Sequence, residues 1–309
     1  MSPHNCPSLG NSRSPSQLIT IDDCVSWADA RLDQADVFFG HGCYNSRDEA
    51  IWATLHVAGL MDQEYDEIAS TLISEQDYSK VRDLIERRIQ TRQPLAYLIR
   101  EAWFAGYRFY IDERAIVPRS HLGDLIQDGL EPWIDSTTLE RALDLCCGSG
   151  CIAVALALTC PNLIVDASDL DASALEVSRI NIDRFQVENR VQVAQSDLFQ
   201  NLPIYKYDLI ASNPPYIPSE ELDKLPEEYL HEPTHAFAGG EDGLKFVRQI
   251  LIRAADYLSD KGHLLIELGN NADALESAYP DFPFLWLTSR SEESVVVLLS
   301  KEELQHYEF

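Results

Sequence analysis

Basic residues are scarce in this chain: 24 Lys and Arg stand against 51 Asp and Glu, a formal charge of −27 over 309 residues. Such a surface repels a phosphate backbone at long range, and no segment rich in Lys and Arg offers a local exception. Nucleic acid is therefore not expected as the substrate. Uncharged apolar runs are short, none approaching the roughly 20 residues that cross a bilayer, so a membrane-spanning helix is excluded. The seven cysteines are odd in number and include the adjacent pair Cys146-Cys147 with Cys151 close by. That spacing resembles neither a disulfide framework nor paired zinc ligands, and a reducing cytoplasm with no bound metal is expected. Internal repeats are absent, as is low-complexity sequence after residue 17. The opening stretch, MSPHNCPSLGNSRSPSQ, is rich in Ser, Pro and Asn without the apolar segment of a secretory signal, and residues 1–17 are expected to be disordered.

What is present divides into two patterns, and 309 residues are long for one core. From 18 to 95 apolar residues recur at helical steps: Val81, Leu84, Ile85 and Ile89 in one place, Ile51 and Leu55 in another, Ile68 and Leu72 in a third. A small helical domain follows from this, closed at Gln93-Pro94 because proline disfavours helix in the residue before it. Residues 96–117 are aromatic-rich with turn points at Gly106 and Asp112-Glu113, and they suit a hairpin linking two domains. Over 118–309 short apolar segments alternate with helices. The strands are expected at 141–145, 163–168, 190–194, 207–212, 262–268, 283–287 and 294–299, with one helix marked by Leu244, Val247, Leu251, Ala254 and Leu258. Strand and helix in alternation predict an α/β fold, a doubly wound, Rossmann-like, seven-stranded and mostly parallel sheet.

The segment LDLCCGSGCIAVALAL has the order strand, glycine turn, helix. Gly148 and Gly150 allow positive φ and a close backbone approach, and the helix from Cys151 points free N–H groups at the same spot. Gly148, Gly150 and Ala153 also satisfy the dinucleotide fingerprint, so a nicotinamide cofactor stands beside an adenosyl one at this point. Asp169, 19 residues past Gly150 at the end of the next strand, suits the hydroxyls of a ribose. Asp197 follows the third strand and can reach an adenine amino group, with Leu198 and Phe199 as apolar cover; a turn-capping role is its plainer alternative.

The fourth strand ends in SNPPYI, where Pro214 and Pro215 stop any central strand and stiffen the exit. Ligands of such sheets lie at the carboxyl ends of the strands near the switch in strand order, so this corner and the glycine loop face one crevice. A planar amide or aromatic amine is a poor nucleophile because its lone pair is delocalised. The Asn213 side-chain oxygen and the Pro214 carbonyl can each accept one of its N–H groups, and Tyr216 can stack on its plane. Positioning of this kind can supply roughly 7 to 11 kcal/mol, and no strong base is needed.

With these residues in hand, the chain resembles the class I S-adenosyl-L-methionine-dependent methyltransferases, and among them the protein-glutamine N5-methyltransferases. FFGHGCYNSRDEA (38–50), YLIREAWFAGYRFYIDERAIVPRS (97–120), LDLCCGSGCIA (143–153), SNPPYI (212–217) and LPEEYLHEPTHAFAGGEDGL (225–244) are similar to the subgroup acting on a large-subunit ribosomal protein, uL3. PRS at 118–120 and EYLHEP lean away from the sister subgroup that modifies peptide-chain release factors. The resemblance implies that Cys146, Cys147, Gly148, Ser149, Gly150, Asp169 and Asn213 line the cofactor. It implies likewise that Asn213, Pro214, Pro215 and Tyr216 hold the glutamine, and that 227–233 belongs to a protein-binding rim. The helical domain at 18–95 is then the place for substrate recognition, and the acidic charge a means of steering a basic ribosomal protein. DNA-adenine methylation shares the NPPY chemistry but not the charge, a nicotinamide oxidoreductase leaves Asn213 and Tyr216 without work, and an inactive ribosome-binding module leaves the intact acceptor pair unexplained.

Overall fold

The computed structural model describes residues 18–288, 295–307 and 309. The expectation for 1–17 lies outside them, as does position 294 of the last expected strand. Two compact units are present: one holds residues 18–37 and Asn45–Thr91, the other Phe38–Tyr44 and Arg92–Phe309.

The first unit is helical. Its helix α1 (Ile21–Gln34) opens on a capping box, in which the Thr20 hydroxyl accepts the Asp23 N–H and the Asp23 carboxylate accepts the Thr20 N–H. Helix α2 (Ser46–Ala58) is capped by Asn45 and stops at Gly59 with φ +71°, the left-handed stop that glycine takes freely. The single turn α3 (Tyr65–Ile68) precedes α4 (Glu75–Thr91). Val25, Ala28 and Leu32 of α1, Ala50 and Ala53 of α2, and Val81 and Ile85 of α4 are all buried. Arg88 is buried with them, its Nε 2.8 Å from Glu49, as a buried cation requires a partner. Leu72 corrects the helical reading of 68–72: it lies beyond α3, bridges Thr20 as extended backbone and is half exposed. A four-residue spacing across the end of an element mimics a stripe. Residues 38–44 likewise belong to the second unit, although they fall inside the span expected to be one helical domain.

In the second unit Pro94 starts α5 (Leu95–Ile99) rather than closing the helix before it, which ends at Thr91. The aromatic stretch forms the antiparallel hairpin β1 (Ala102–Phe104) and β2 (Tyr107–Phe109), with positive φ at both Ala105 and Gly106, the pairing that matches strand twist. Phe104 and Phe109 sink into the core of this unit, so the hairpin is part of it rather than a linker. The further elements are α6 (Leu122–Gln127), β3 (Arg141–Leu145), α7 (Cys151–Thr159), β4 (Ile164–Asp169), α8 (Ala172–Arg184), β5 (Val191–Gln195), β6 (Tyr207–Ser212), α9 (Ser219–Leu222), α10 (Lys245–Tyr257), β7 (Leu258–Glu267), α11 (Ala272–Ala278), β8 (Leu285–Leu287), β9 (Val296–Ser300) and α12 (Lys301–His306).

Seven strands make one sheet in the order β5-β4-β3-β6-β7-β9-β8, and only β9 runs against the rest. The two-residue period of the strands sorts side chains between two cores. Ala142, Leu209, Leu265, Val296 and Leu298 face the layer of α6, α7 and α8, while Leu143, Leu145, Ile210, Leu264, Ile266 and Val297 face α10 and α12. Helix α7 is apolar all round because it lies wholly inside, and α10 buries Val247, Ile250, Leu251 and Ala254 along one stripe. After β3 the chain moves one way to β4 and β5, then returns to the other side for β6. Leu145 pairs with Ser212 at that reversal, so the two loops that follow leave the sheet side by side.

Candidate active site

The loop after β3 carries Cys146 to Gly150. Its backbone has φ of +59° at Cys146, +52° at Gly148 and +75° at Gly150, so three of five residues sit in the left-handed region. Cys146 pays the usual side-chain cost of that conformation, where glycine would not. A Cβ on Gly148 would meet open space, whereas one on Gly150 would lie 3.1 Å from Ser178 of α8. Gly148 thus keeps the backbone bare toward the crevice and Gly150 admits α8. Asn181, which sequence reasoning passed over, ties the loop down: its Nδ2 donates to the Ser149 carbonyl at 2.9 Å and to that of Tyr110 at 3.0 Å.

Asp169 ends β4, where its carboxylate accepts the Gly148 N–H at 2.8 Å and the Asp171 N–H at 2.9 Å. Burial pushes its carboxyl above the ordinary range, against the pull of those two donors. Asp197 and Leu198 follow β5, and Leu198 is held at φ +46° with its side chain buried. One cavity is lined by Cys146 to Ser149, Asp169, Asp197, Leu198, Asn213 and Pro215. Gly150 stands behind it at the start of α7, and Phe199 turns away into the core, stacked 4.5 Å from Tyr257. Phe199 is thus corrected as apolar cover for a bound ring: residues 198 and 199 lie in the turn after β5, where Leu198 lines the cavity and Phe199 packs on Tyr257 of α10.

The NPPY corner stands between this cavity and a second one. Pro214, Tyr216, Tyr229, Phe237 and Asn271 line the second, and Asn213, Arg119, Ile116 and Ala236 line both. The Asn213 Oδ1 is buried without a hydrogen-bond partner. An unmet acceptor in a buried place costs about 1 to 3 kcal/mol, and it is retained where a ligand supplies the missing donor.

The corner is clamped from the outside. Ile217 N–H donates to the Phe237 carbonyl and Gly239 N–H to that of Ile217, each at 2.8 Å, while Asn271 Nδ2 donates to the Tyr216 carbonyl at 2.6 Å. A Cβ on Gly239 would come within 2.6 Å of the Tyr216 backbone, and one on Gly269 within 2.5 Å of the Tyr216 ring. These glycines are contact residues of the corner. The Tyr216 hydroxyl points at the Glu267 carboxylate, a long 3.4 Å away. Glu267 is buried and also accepts from the Ser120 hydroxyl and, at 2.8 Å, the His121 N–H; burial raises its carboxyl despite these donors.

Residues 227–233 turn inward more than a rim would. Glu228 accepts the Phe38 N–H at 2.9 Å and pairs with Arg92, and Glu232 accepts from Val117 N–H and His41 Nε2, each at 2.8 Å, and from Arg119 at 2.9 Å. Burial works against the Glu232 charge, but Arg119 and His41 outweigh it and hold the carboxyl down at about 2. Leu230 alone in this stretch is an exposed large apolar side chain. Arg119 and Glu232 carry no local motif that names them; only their meeting in space does.

The family model described as methyltransferase small domain matches residues 130–236. A ribosomal protein uL3 glutamine methyltransferase of Neisseria gonorrhoeae is 45% identical over 95% of this chain and 98% of its own length. The chain belongs to the ribosomal protein uL3 glutamine methyltransferase family. A member from Bordetella pertussis is 42% identical over 93% of this chain and 97% of its own. Among solved structures, a methyltransferase from Pyrococcus furiosus covers 62% of this chain and 88% of its own length, with TM-score 0.47 and 18% identity. The expected residues Cys146, Cys147, Gly148, Ser149, Asp169, Asp197, Leu198, Asn213, Pro214, Pro215 and Tyr216 all line one or both of the two cavities. No helix among the described residues is long and apolar enough to cross a membrane.

Proposed function

We propose that this methyltransferase uses S-adenosyl-L-methionine to methylate the side-chain nitrogen (N5) of a glutamine in large-subunit ribosomal protein uL3, in the cytoplasm. The observation that carries the reading is the buried, unpartnered Asn213 Oδ1 where the two cavities meet. The relatives' shared name supports the substrate.

The residues of the first cavity fit the cofactor. Asp169 offers carboxylate oxygens for ribose hydroxyls, Asp197 and Leu198 offer a polar and an apolar contact for adenine, and Cys146 to Ser149 offer a backbone, bare at Gly148, for the methionine part. When bound, the cofactor supplies an electrophilic methyl carbon on a sulfonium sulfur. In the second cavity Asn213 Oδ1 and the Pro214 carbonyl each accept one N–H of the glutamine side chain, which aims the nitrogen and stabilises the positive charge it gains. Tyr216 flanks the planar group, and Glu267 and Asn271 fix the tyrosine from behind. The alkylated nitrogen sheds its proton readily, so no base of its own is required. The helical unit, with residues 18–37 and Asn45–Thr91, serves substrate recognition in this reading, and the excess of carboxylates steers a basic protein.

The test is methyl transfer from tritiated cofactor to purified uL3 and, separately, to duplex DNA. Label in uL3 alone is expected; label in DNA, or in neither, contradicts the proposal.

A further inference from the structure

Asn213 and Pro214 address the nitrogen of a carboxamide, yet its carbonyl oxygen also needs a partner once it leaves water. Arg119 is built to be that partner. Its side chain lines both cavities, as Asn213 does, and its Nη1 is buried with no hydrogen-bond partner. The junction therefore holds one free donor and one free acceptor that are not bonded to each other, the complement of a primary amide.

The guanidinium is held in place on its other edge. Nη2 lies 2.9 Å from Glu232 Oε1, and the Tyr229 and Phe237 rings sit 5.1 and 5.5 Å from the guanidinium carbon. Glu232 is itself anchored by the Val117 N–H and by His41, which belongs to the 38–44 segment. A planar fork with one arm on a buried carboxylate cannot swing round to satisfy its second arm elsewhere.

We propose that Arg119 donates to the carbonyl oxygen of the target side-chain amide and so selects a carboxamide, with Glu232 and His41 as positioning residues. The inference rests on the glutamine reading above. A lysine side chain would bring like charge and no acceptor to this place. A glutamate would satisfy Arg119 but bring no N–H to Asn213. The double discrimination is the kind a site achieves when both of its polar groups are left unpaired by the wrong ligand.

The experiment compares the full chain with Arg119→Lys and with the charge-neutral pair Arg119→Met/Glu232→Gln. Three quantities are measured: calorimetric affinity for S-adenosylhomocysteine, kcat/KM on purified uL3, and inhibition by N-acetylglutamine methylamide and by its glutamate counterpart. Affinity for S-adenosylhomocysteine should fall far less than kcat/KM, because Arg119 is one of many residues lining the first cavity while its unpartnered Nη1 is assigned to the amide. The kcat/KM should fall roughly 10- to 100-fold, the worth of one charged hydrogen bond. Inhibition by the glutamate compound should weaken more than that by the amide, since its carboxylate has its charge partner in Arg119 and meets only acceptors at Asn213 Oδ1 and the Pro214 carbonyl. Should the neutral pair fail to fold, Arg119→Lys still decides, for it keeps a cation beside Glu232 and loses the second donor arm. Unchanged kcat/KM in a variant that binds S-adenosylhomocysteine, or equal weakening of both inhibitors, overturns the proposal. Failure of the unaltered protein to label uL3 overturns the glutamine reading instead, and this one with it.

Discussion

Gly239 offers the sharpest mechanical test of the clamp on the NPPY corner. Its φ is outside the left-handed region, so Gly239→Ala strains no backbone angle and acts through volume alone. The added Cβ would lie 2.6 Å from the Tyr216 carbonyl carbon, 2.7 Å from Tyr216 Cα and 2.8 Å from Gly243 Cα. All three are backbone atoms, so no flexible side chain can give way. Restoring ordinary contact at 3.4 Å requires the corner to retreat by about 0.8 Å, the difference between 3.4 and 2.6. Overpacking of this size costs roughly 1 to 3 kcal/mol of stability. A displacement near 1 Å at a positioned reactive group costs about 10²-fold in turnover. Steady-state methyl transfer, with S-adenosylhomocysteine affinity by calorimetry as the control, separates the two effects. Turnover falls by about two orders while the affinity holds, because Tyr216, the residue pressed on, lines the second cavity and not the first. A folded Gly239→Ala protein with turnover within threefold of the unaltered chain would refute the claim that the corner is rigid and clamped.

Asn213→Ala removes the unpartnered acceptor and is expected to lower kcat by roughly 10² to 10³ with folding intact, as loss of one transition-state partner does; normal turnover in a quench assay would remove Asn213 from the chemistry. Cys146→Gly relieves a left-handed side chain and, after the extra chain entropy of glycine, is expected to stabilise by roughly 0.5 to 1 kcal/mol in denaturant titration. Glu232 has its folded carboxyl held at about 2 against an ordinary 4.5, so its contribution is complete above pH 4.5 and lost as the pH falls toward 2. That difference corresponds to about 3 kcal/mol of acid-labile stability, and Glu232→Gln should flatten the acid limb of the stability curve; an unchanged limb contradicts the assignment. Association with uL3 should slow as salt rises from low to physiological, and a salt-independent rate would remove steering as the purpose of the charge.

Much of this fold is written locally. The seven strands and their alternation with helices are legible because each is a short apolar run between turn residues, and each face of the sheet is covered. The glycine loop is legible for the same reason: Gly148 and Gly150 mark a backbone that side chains resist. Even Cys146, where a glycine would be easier, shows the same left-handed φ. The boundaries were less legible. Pro94 belongs to the start of α5, and residues 38–44 join a unit assembled mostly from sequence beyond Arg92, which no local pattern reveals. Periodicity also misleads at Leu72, where a four-residue step spans the end of a helix.

The site divides along the same line. Asn213, Pro214 and Tyr216 are contiguous and stiff, so their chemistry follows from order in the chain. Arg119, Glu232 and His41 are separated by more than a hundred residues in places and meet only after folding, within 2.9 Å of one another pairwise through Glu232. Asn181 acts by tying two backbone segments together and Gly239 by the room it leaves, neither through a reactive group, and a motif cannot single them out.

The central claim is that a rigid polar corner presents a side-chain amide nitrogen to the first cavity. A crystal structure of this protein with S-adenosylhomocysteine and a glutamine-bearing uL3 segment tests it directly. The account predicts the sulfur in the first cavity and the amide nitrogen hydrogen-bonded to Asn213 Oδ1, between that oxygen and the sulfur. A sulfur placed out of reach of any nitrogen held by Asn213 would contradict it.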